Sequence, residues 1–215
     1  MQAAKFITLE GIEGVGKSTA SHFIQEQLNR AGIEFIATRE PGGTPLAENL
    51  RELLLSKTSE APCELTELLL MFAARAQHLN QVIKPALASG KWVICDRFTD
   101  ASFAYQGGGR GQSLANLTSL EQLVHPDLQP DITFLLDMPV AAAFARVEQR
   151  GEKDRFEQEQ TEFFNRVRAA YLARAEEFPA RFCLIDASLS LEEVKAQILS
   201  PLIQITNNQK PQANR

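Results

Sequence analysis

The chain has 215 residues, 44% hydrophobic and 23% charged, an ordinary composition for one globular domain with a sizeable core. No run approaches the roughly 20 apolar residues needed to span a bilayer, and the N-terminus lacks the basic-then-apolar layout of a signal peptide. A net charge of −5 argues against a general nucleic-acid binder, but it leaves room for a phosphorylated small molecule held by a few convergent arginines in a cleft.

Phe6–Glu10 is a short apolar strand that runs straight into Gly11, Ile12, Glu13, Gly14, Val15, Gly16, Lys17 and Ser18. Gly-x-x-x-x-Gly-Lys-Ser is the spacing of a phosphate-binding P-loop. Glycines let backbone N–H groups curl around phosphate oxygens. Lys17 brings a positive charge to the terminal phosphates, and the Ser18 hydroxyl can ligate Mg²⁺. Helix-forming residues follow from Thr19 to Arg30, with Phe23, Ile24 and Leu28 on one face, so bound phosphates would sit at a helix N-terminus. The residues from Gly11 to Thr19 are thus expected to bind a nucleoside triphosphate.

Glu34–Thr38 reads as a second strand, closing on Arg39-Glu40-Pro41-Gly42-Gly43-Thr44. That turn would set Arg39 at the sheet edge facing a cleft, or pair it with Glu40. In the amphipathic stretch Leu65–Leu87, Met71, Arg75 and His78 share a face, with Phe72 beside them. An arginine next to a thioether or an aromatic suits a base held flat, and equally suits a packing helix. His78 reads as structural.

Trp92–Cys95 is a third strand ending in Asp96 and Arg97. In a P-loop protein, an acid at that place helps hold Mg²⁺ or its waters. Gln106–Gln112 is too glycine-rich for a helix interior and reads as a loop before the helix Leu114–Val124. Ile132–Leu136 is a fourth strand, and Asp137, followed by Met138-Pro139, suits a turn or helix start. The helix Val140–Gln149 leads into the dense charges Arg146, Arg150, Lys153 and Arg155, interrupted by Gly151. These form a solvated face or a basic lid near 146–156 that excludes water during group transfer.

The helix Glu162–Glu176, the strand Phe182–Ile185 and the helix Leu191–Leu202 complete the pattern. Residues 1–206 form a single domain, and the polar stretch 207–215 reads as a frayed tail. Cys63, Cys95 and Cys183 are scattered, with Cys95 and Cys183 in apolar runs that suit buried free thiols, so a cytoplasmic, reducing location fits. Alternating strands and helices with apolar strands mean an α/β fold: a five-stranded parallel sheet with helices on both faces. Ligands bind such sheets at the strands' carboxyl ends, where Gly11, Arg39 and Asp96 fall.

Taken together, these motifs resemble the thymidylate kinases, P-loop nucleoside monophosphate kinases. The resemblance rests on the P-loop itself, Thr-Arg-Glu-Pro-Gly-Gly-Thr (38–44), Phe-Ala-Ala-Arg-Ala-Gln-His (72–78), Asp-Arg-Phe-Thr-Asp-Ala-Ser-Phe-Ala-Tyr-Gln-Gly (96–107), Pro-Asp-Ile-Thr-Phe-Leu-Leu-Asp (130–137) and the basic 146–155 segment. It implies the three-layer fold of that class, a homodimer, and transfer of the γ-phosphoryl of Mg·ATP to thymidine monophosphate, a step toward dTTP. Carried over by position, Glu13 meets the acceptor's deoxyribose, Arg39 and Arg97 hold its phosphate, and Arg75, Ser102, Tyr105 and Gln106 line the thymine and sugar pocket. The family's base-stacking Phe lies four residues before this arginine. Here Met71 occupies that position and Phe72 follows it, so either could stack on the base. The P-loop carries no basic residue at Glu13–Val15. That pattern matches the bacterial-type members, whose catalytic arginine comes from the lid, and Arg150 is the matching residue.

Two rival readings differ in output. A P-loop kinase for another acceptor would share most of these motifs, although an acceptor without a phosphate leaves Arg39 and Arg97 unmatched. A nucleotide-dependent switch or partition ATPase would act through a protein contact. Guanine-specific switches carry Asn-Lys-x-Asp, and no such string occurs here.

Overall fold

Period-two alternation along the strands sends side chains to opposite faces of one sheet. In β1 (Phe6–Glu10), Ile7 and Leu9 join Ile24, Leu28 and Ile198 in the larger core, while Phe6 packs with Leu79 and Ile83 in a second cluster. Helices therefore cover both faces, giving three layers. The computed structural model describes residues 4–56, 60–147, 155–156 and 159–207.

The sheet has five parallel strands in the order β2 (Phe35–Arg39), β3 (Trp92–Asp96), β1, β4 (Ile132–Asp137) and β5 (Phe182–Asp186). The register aligns Leu9 and Arg39 with Asp96, and Glu10 with Leu135. The carboxyl ends of the three central strands and β2 therefore open on one edge, as the sequence predicts. Across the core, the Thr8 and Thr133 hydroxyls bond at 2.8 Å, so each buried hydroxyl has a partner.

The helices follow in chain order. They are α1 (Lys17–Arg30), α2 (Pro45–Leu55), α3 (Glu64–His78), α4 (Lys84–Ala88), α5 (Thr99–Ser102), α6 (Leu114–Val124), α7 (Val140–Val147), α8 (Thr161–Glu177) and α9 (Leu191–Asn207). Three departures from the sequence reading have physical causes. α2 is a helix that periodicity did not pick out, started by the Thr44 hydroxyl accepting from Ala47 N–H with Pro45 at the first turn.

The stretch expected as one helix over Leu65–Leu87 widens into a π-turn at Leu79–Ile83 before α4. Pro85 has no N–H to donate, and its ring crowds the carbonyl four residues back, at Gln81. The glycine run expected as a loop is π-helical over Phe103–Gly109. Its glycines are there for contact. A Cβ on Gly108 would lie 2.5 Å from the Ala170 Cβ, and one on Gly109 2.5 Å from the Phe163 ring, so α8 can lie directly against this segment.

Of the cysteines, Cys95 is buried and Cys183 half-buried, both unpaired, and Cys63 is exposed. Among the described residues, no helix is long and apolar enough to cross a membrane. Of the tail expected to fray, Asn207 ends α9, and 208–215 lie outside the described residues.

Candidate active site

The P-loop wraps from β1 to α1 with Gly11, Gly14 and Gly16 all at positive φ. Gly11 must be glycine, because a Cβ there would sit 2.3 Å from the Leu136 carbonyl oxygen. α1 begins with neither a side-chain cap nor an acidic residue in its first turn, which leaves its N–H groups and positive dipole end open to an anion. Ile12 and Val15 are buried anchors of the loop, while Ser18 and Thr19 are exposed at the helix start. Lys17 donates back across the loop to the Gly11 and Ile12 carbonyls at 3.1 and 2.9 Å. Burial, reinforced by the positive charge of Arg97, pushes Lys17 down to about 8.

Beside the loop lies a half-open cavity. It brings together Glu13, Met71, Arg75, Arg97, Ser102, Tyr105 and Gln106, candidate site residues from three separate stretches of sequence. Arg97 is its centre. Its backbone sits in the left-handed region at φ 68, a sparsely used conformation for a non-glycine residue, and its N–H bonds Leu9 O at 2.9 Å. Its guanidinium donates to Glu13 at 2.7 Å, to the Tyr105 hydroxyl at 3.0 Å and to the Tyr171 hydroxyl at 3.1 Å, and lies over the Tyr105 ring. Tyr105 in turn donates to Glu13 at 2.6 Å. Glu13 therefore faces this cavity.

Behind Arg97 stands a residue the motifs did not mark. Tyr171 on α8 donates to buried Glu10 at 2.8 Å, and Phe98 N–H donates to the other Glu10 oxygen at 2.7 Å. Burial, with the repulsion of Asp100, raises Glu10 to about 8 despite the opposing pull of Arg97 and Tyr171. A Glu at the end of an apolar strand, in a loop already read for its glycines, gives no separate sequence signal.

On α3, Arg75 is buried and donates to Glu40 at 2.7 Å, to Phe98 O at 3.1 Å and to Ser102 Oγ at 3.0 Å. Its Nη1 is buried without a partner among the described residues. Burial opposes ionisation of Glu40, but Arg75 and His78 hold its carboxyl below the ordinary value. His78 bridges Glu40 and the Thr38 hydroxyl, the structural role expected of it. Met71 and Phe72 part company: Met71 lines the cavity, whereas Phe72 is buried with Leu68, Phe103 and Leu117 and carries the Arg75 guanidinium over its ring. Of the two, the side chain that lines the cavity is the methionine.

Arg39 does not join Arg97. Its guanidinium is half exposed and donates to Glu48 on α2 at 2.8 Å, and Glu40 goes to Arg75 instead. Asp137, expected at a turn or helix start, is the last residue of β4 and is gripped through both oxygens by Arg168 of α8 at 2.7 Å. Asp96, expected near the metal, has its Oδ1 buried without a partner among the described residues. Arg150 and Lys153 lie outside the described residues. Arg146 is exposed on α7, and Arg155 is turned onto the Leu54 carbonyl and Glu67 at 2.8 and 2.6 Å.

A second cavity opens on the other side of the loop, lined by Val15, Gly16, Thr19, Arg146, Leu189 and Lys195 among others. Its residues after β5 went unmarked because they carry no motif, only Lys195 among apolar side chains.

The chain's similarities agree with this geometry. A family model described as thymidylate kinase matches residues 9–198. Thymidylate kinases from Chromohalobacter salexigens and Teredinibacter turnerae are 60% and 59% identical to it, over 95% and 90% of this chain and 97% and 95% of theirs. The crystal structure of thymidylate kinase from Ehrlichia chaffeensis superposes with a TM-score of 0.74 at 35% identity, covering 93% of this chain and 99% of that one. With a match that runs from β1 into α9 and relatives that share more than half its residues, the chain belongs to the thymidylate kinase family.

Proposed function

We propose that this chain transfers the γ-phosphoryl group of ATP to thymidine monophosphate, giving thymidine diphosphate and ADP. One observation carries the choice of acceptor. The cavity that holds Arg97 also holds Arg75, whose Nη1 is a donor without a partner among the described residues, and Gln106, whose amide nitrogen is committed to Glu67 at 3.0 Å. A free donor beside a carbonyl acceptor complements thymine, which offers O4 as acceptor and N3–H as donor. Cytosine presents the opposite pattern. Met71, Leu55, Phe98 and Ala101 give the cavity apolar walls for a flat base.

Phosphoryl transfer asks for positioning and positive charge rather than covalent help. On the donor side, Lys17 exchanges two loop carbonyls for phosphate oxygens, and the second cavity takes the donor's base. On the acceptor side, Arg97 is held by three partners before substrate arrives, so little reorganisation is needed. A phosphate monoester is a dianion at neutral pH and requires no general base. Arg39 joins the acceptor phosphate by leaving Glu48. Arg150, in a lid near 146–156, supplies the further cation on closure.

The residues fit a magnesium ion carried in by the triphosphate. Ser18 is exposed at the helix start, Asp96 keeps a buried oxygen without a partner, and no cluster of three or more His, Cys, Asp or Glu forms a resident site among the described residues. When bound, Mg²⁺ neutralises charge on the phosphoryl oxygens.

The assembly we propose is a cytoplasmic homodimer. Leu53 of α2, Leu65 and Leu69 of α3, and Leu114 and Leu123 of α6 are all about half exposed or more, on helices that pack side by side. An exposed Cys63 thiol suits a reducing compartment. Calorimetric titration of donor-free protein tests the acceptor assignment. Thymidine monophosphate should bind about tenfold or more tightly than cytidine-based deoxynucleotide. Equal affinities would remove the reading of Arg75 and Gln106.

A further inference from the structure

Gln106 is only 1% exposed, yet an amide in a cavity can present either its oxygen or its nitrogen. What decides its orientation lies one layer out. Glu67 of α3 does not line the acceptor cavity, and it is itself only 1% exposed. Its Oε1 accepts from Gln106 Nε2 at 3.0 Å and from Arg110 Nε at 3.3 Å, and its Oε2 accepts from Arg155 Nη2 at 2.6 Å. Arg110 is steadied in turn by Glu159 and lies over the Phe163 ring. A carboxylate whose two oxygens already accept from two guanidinium groups presents acceptors to its neighbours. Turning the amide over would set its carbonyl oxygen against that carboxylate, so the nitrogen must face Glu67. Among the described residues no donor reaches the Gln106 carbonyl oxygen, which leaves it for a ligand.

We propose that Glu67 is a positioning residue that locks the Gln106 amide with its carbonyl oxygen toward the acceptor base, and thereby sets selection of thymine over cytosine. This rests on the acceptor reading given above. Glu67 touches no substrate. It acts through Gln106, and the two arginines hold it in place to do so. The choice of glutamate follows: a glutamine at 67 could donate as well as accept, and would let Gln106 adopt either orientation.

The test is Glu67→Gln, assayed at steady state with ATP and with either thymidine or deoxycytidine monophosphate. KM for thymidine monophosphate should rise about tenfold with kcat within about twofold, and the ratio of kcat/KM for the two acceptors should fall about tenfold. In a Gln106→Ala background the same substitution should alter that ratio less than about twofold, because its effect passes through Gln106. Glu67→Asp, which keeps the charge but withdraws it by one methylene, should give an intermediate ratio and covers the case in which Glu67→Gln folds poorly.

An unchanged ratio in both variants overturns the inference. So does an equal loss on both acceptors accompanied by a lower Tm, which is what a purely structural ion cluster would give. Wild-type enzyme that does not use thymidine monophosphate at all overturns the acceptor reading, and the inference falls with it. Wild-type enzyme that uses it, beside variants of unchanged selectivity, overturns the inference alone.

Discussion

In the free protein Lys17 is pushed down to about 8 by burial and by Arg97, while its ammonium bonds two loop carbonyls. Triphosphate oxygens replacing those carbonyls put negative charge beside it and return its value toward or above the ordinary 10.5. ATP binding must therefore take up a proton in the window between the two values. At pH 7 about a tenth of the free protein has Lys17 neutral, at pH 8 about half, and at pH 9 about nine-tenths. Uptake should be about 0.1, 0.5 and 0.9 proton at those three pH values, and ATP affinity should fall about tenfold from pH 7 to pH 9. Isothermal titration in two buffers of different ionisation enthalpy reads the uptake directly. Lys17→Arg stays charged throughout and should abolish both the uptake and the slope. Arg97→Gln removes the second cause of the shift and should move the midpoint upward. Wild-type affinity flat to pH 9, with no buffer-dependent heat, would refute the reasoning.

Tyr171→Phe leaves an Arg97 nitrogen and a Glu10 oxygen each short of a partner, so it should lower kcat/KM for the acceptor about tenfold while leaving the ATP Kd unchanged. Steady-state kinetics and titration together check this. Glu10, raised to about 8, is protonated when folded and ionised when unfolded between pH 4.5 and 8. Its contribution is thus full below 4.5 and is lost as pH rises through about 8. Urea unfolding should show Glu10→Gln gaining on wild type steadily from pH 5 to 8.5. Arg150→Ala should reduce kcat by about a thousandfold with little change in KM or Tm. If Lys153→Ala or Arg155→Ala does so instead, the lid cation has been misassigned.

Much of the site was legible because its chemistry is local. The P-loop needs a strand, fixed glycines and a helix within a dozen residues, and Asp96-Arg97 ends a strand whose apolar run is plain. What was hidden depends on reach and packing. Arg39 has a long side chain, and only the fold reveals Glu48 one turn into α2 as its partner. Met71 and Phe72 differ by 100° around a helix, too fine a distinction when the packing of Leu68 and Leu117 is unknown. The run Gln106–Gln112 read as a loop because glycines weaken an isolated helix, whereas here close contact with Ala170 and Phe163 outweighs that cost. Glu67 looks like any surface glutamate until Arg110 and Arg155 arrive from 43 and 88 residues away. α2 could have been found from Thr44-Pro45, a helix-start signal that precedes an amphipathic stretch.

The central claim, transfer from ATP to thymidine monophosphate, is tested most directly by turnover of the purified chain with Mg·ATP and each nucleoside monophosphate in turn, measured as ADP released and diphosphate formed. The account predicts fastest turnover with thymidine monophosphate. Deoxyuridine monophosphate should follow at a several-fold lower kcat/KM, since a missing methyl forfeits roughly 1 kcal/mol of apolar contact. Adenylate and deoxycytidine monophosphate should be poor. Turnover of adenylate equal to or faster than that of thymidine monophosphate would contradict it, as would ATP hydrolysis that no nucleoside monophosphate accelerates.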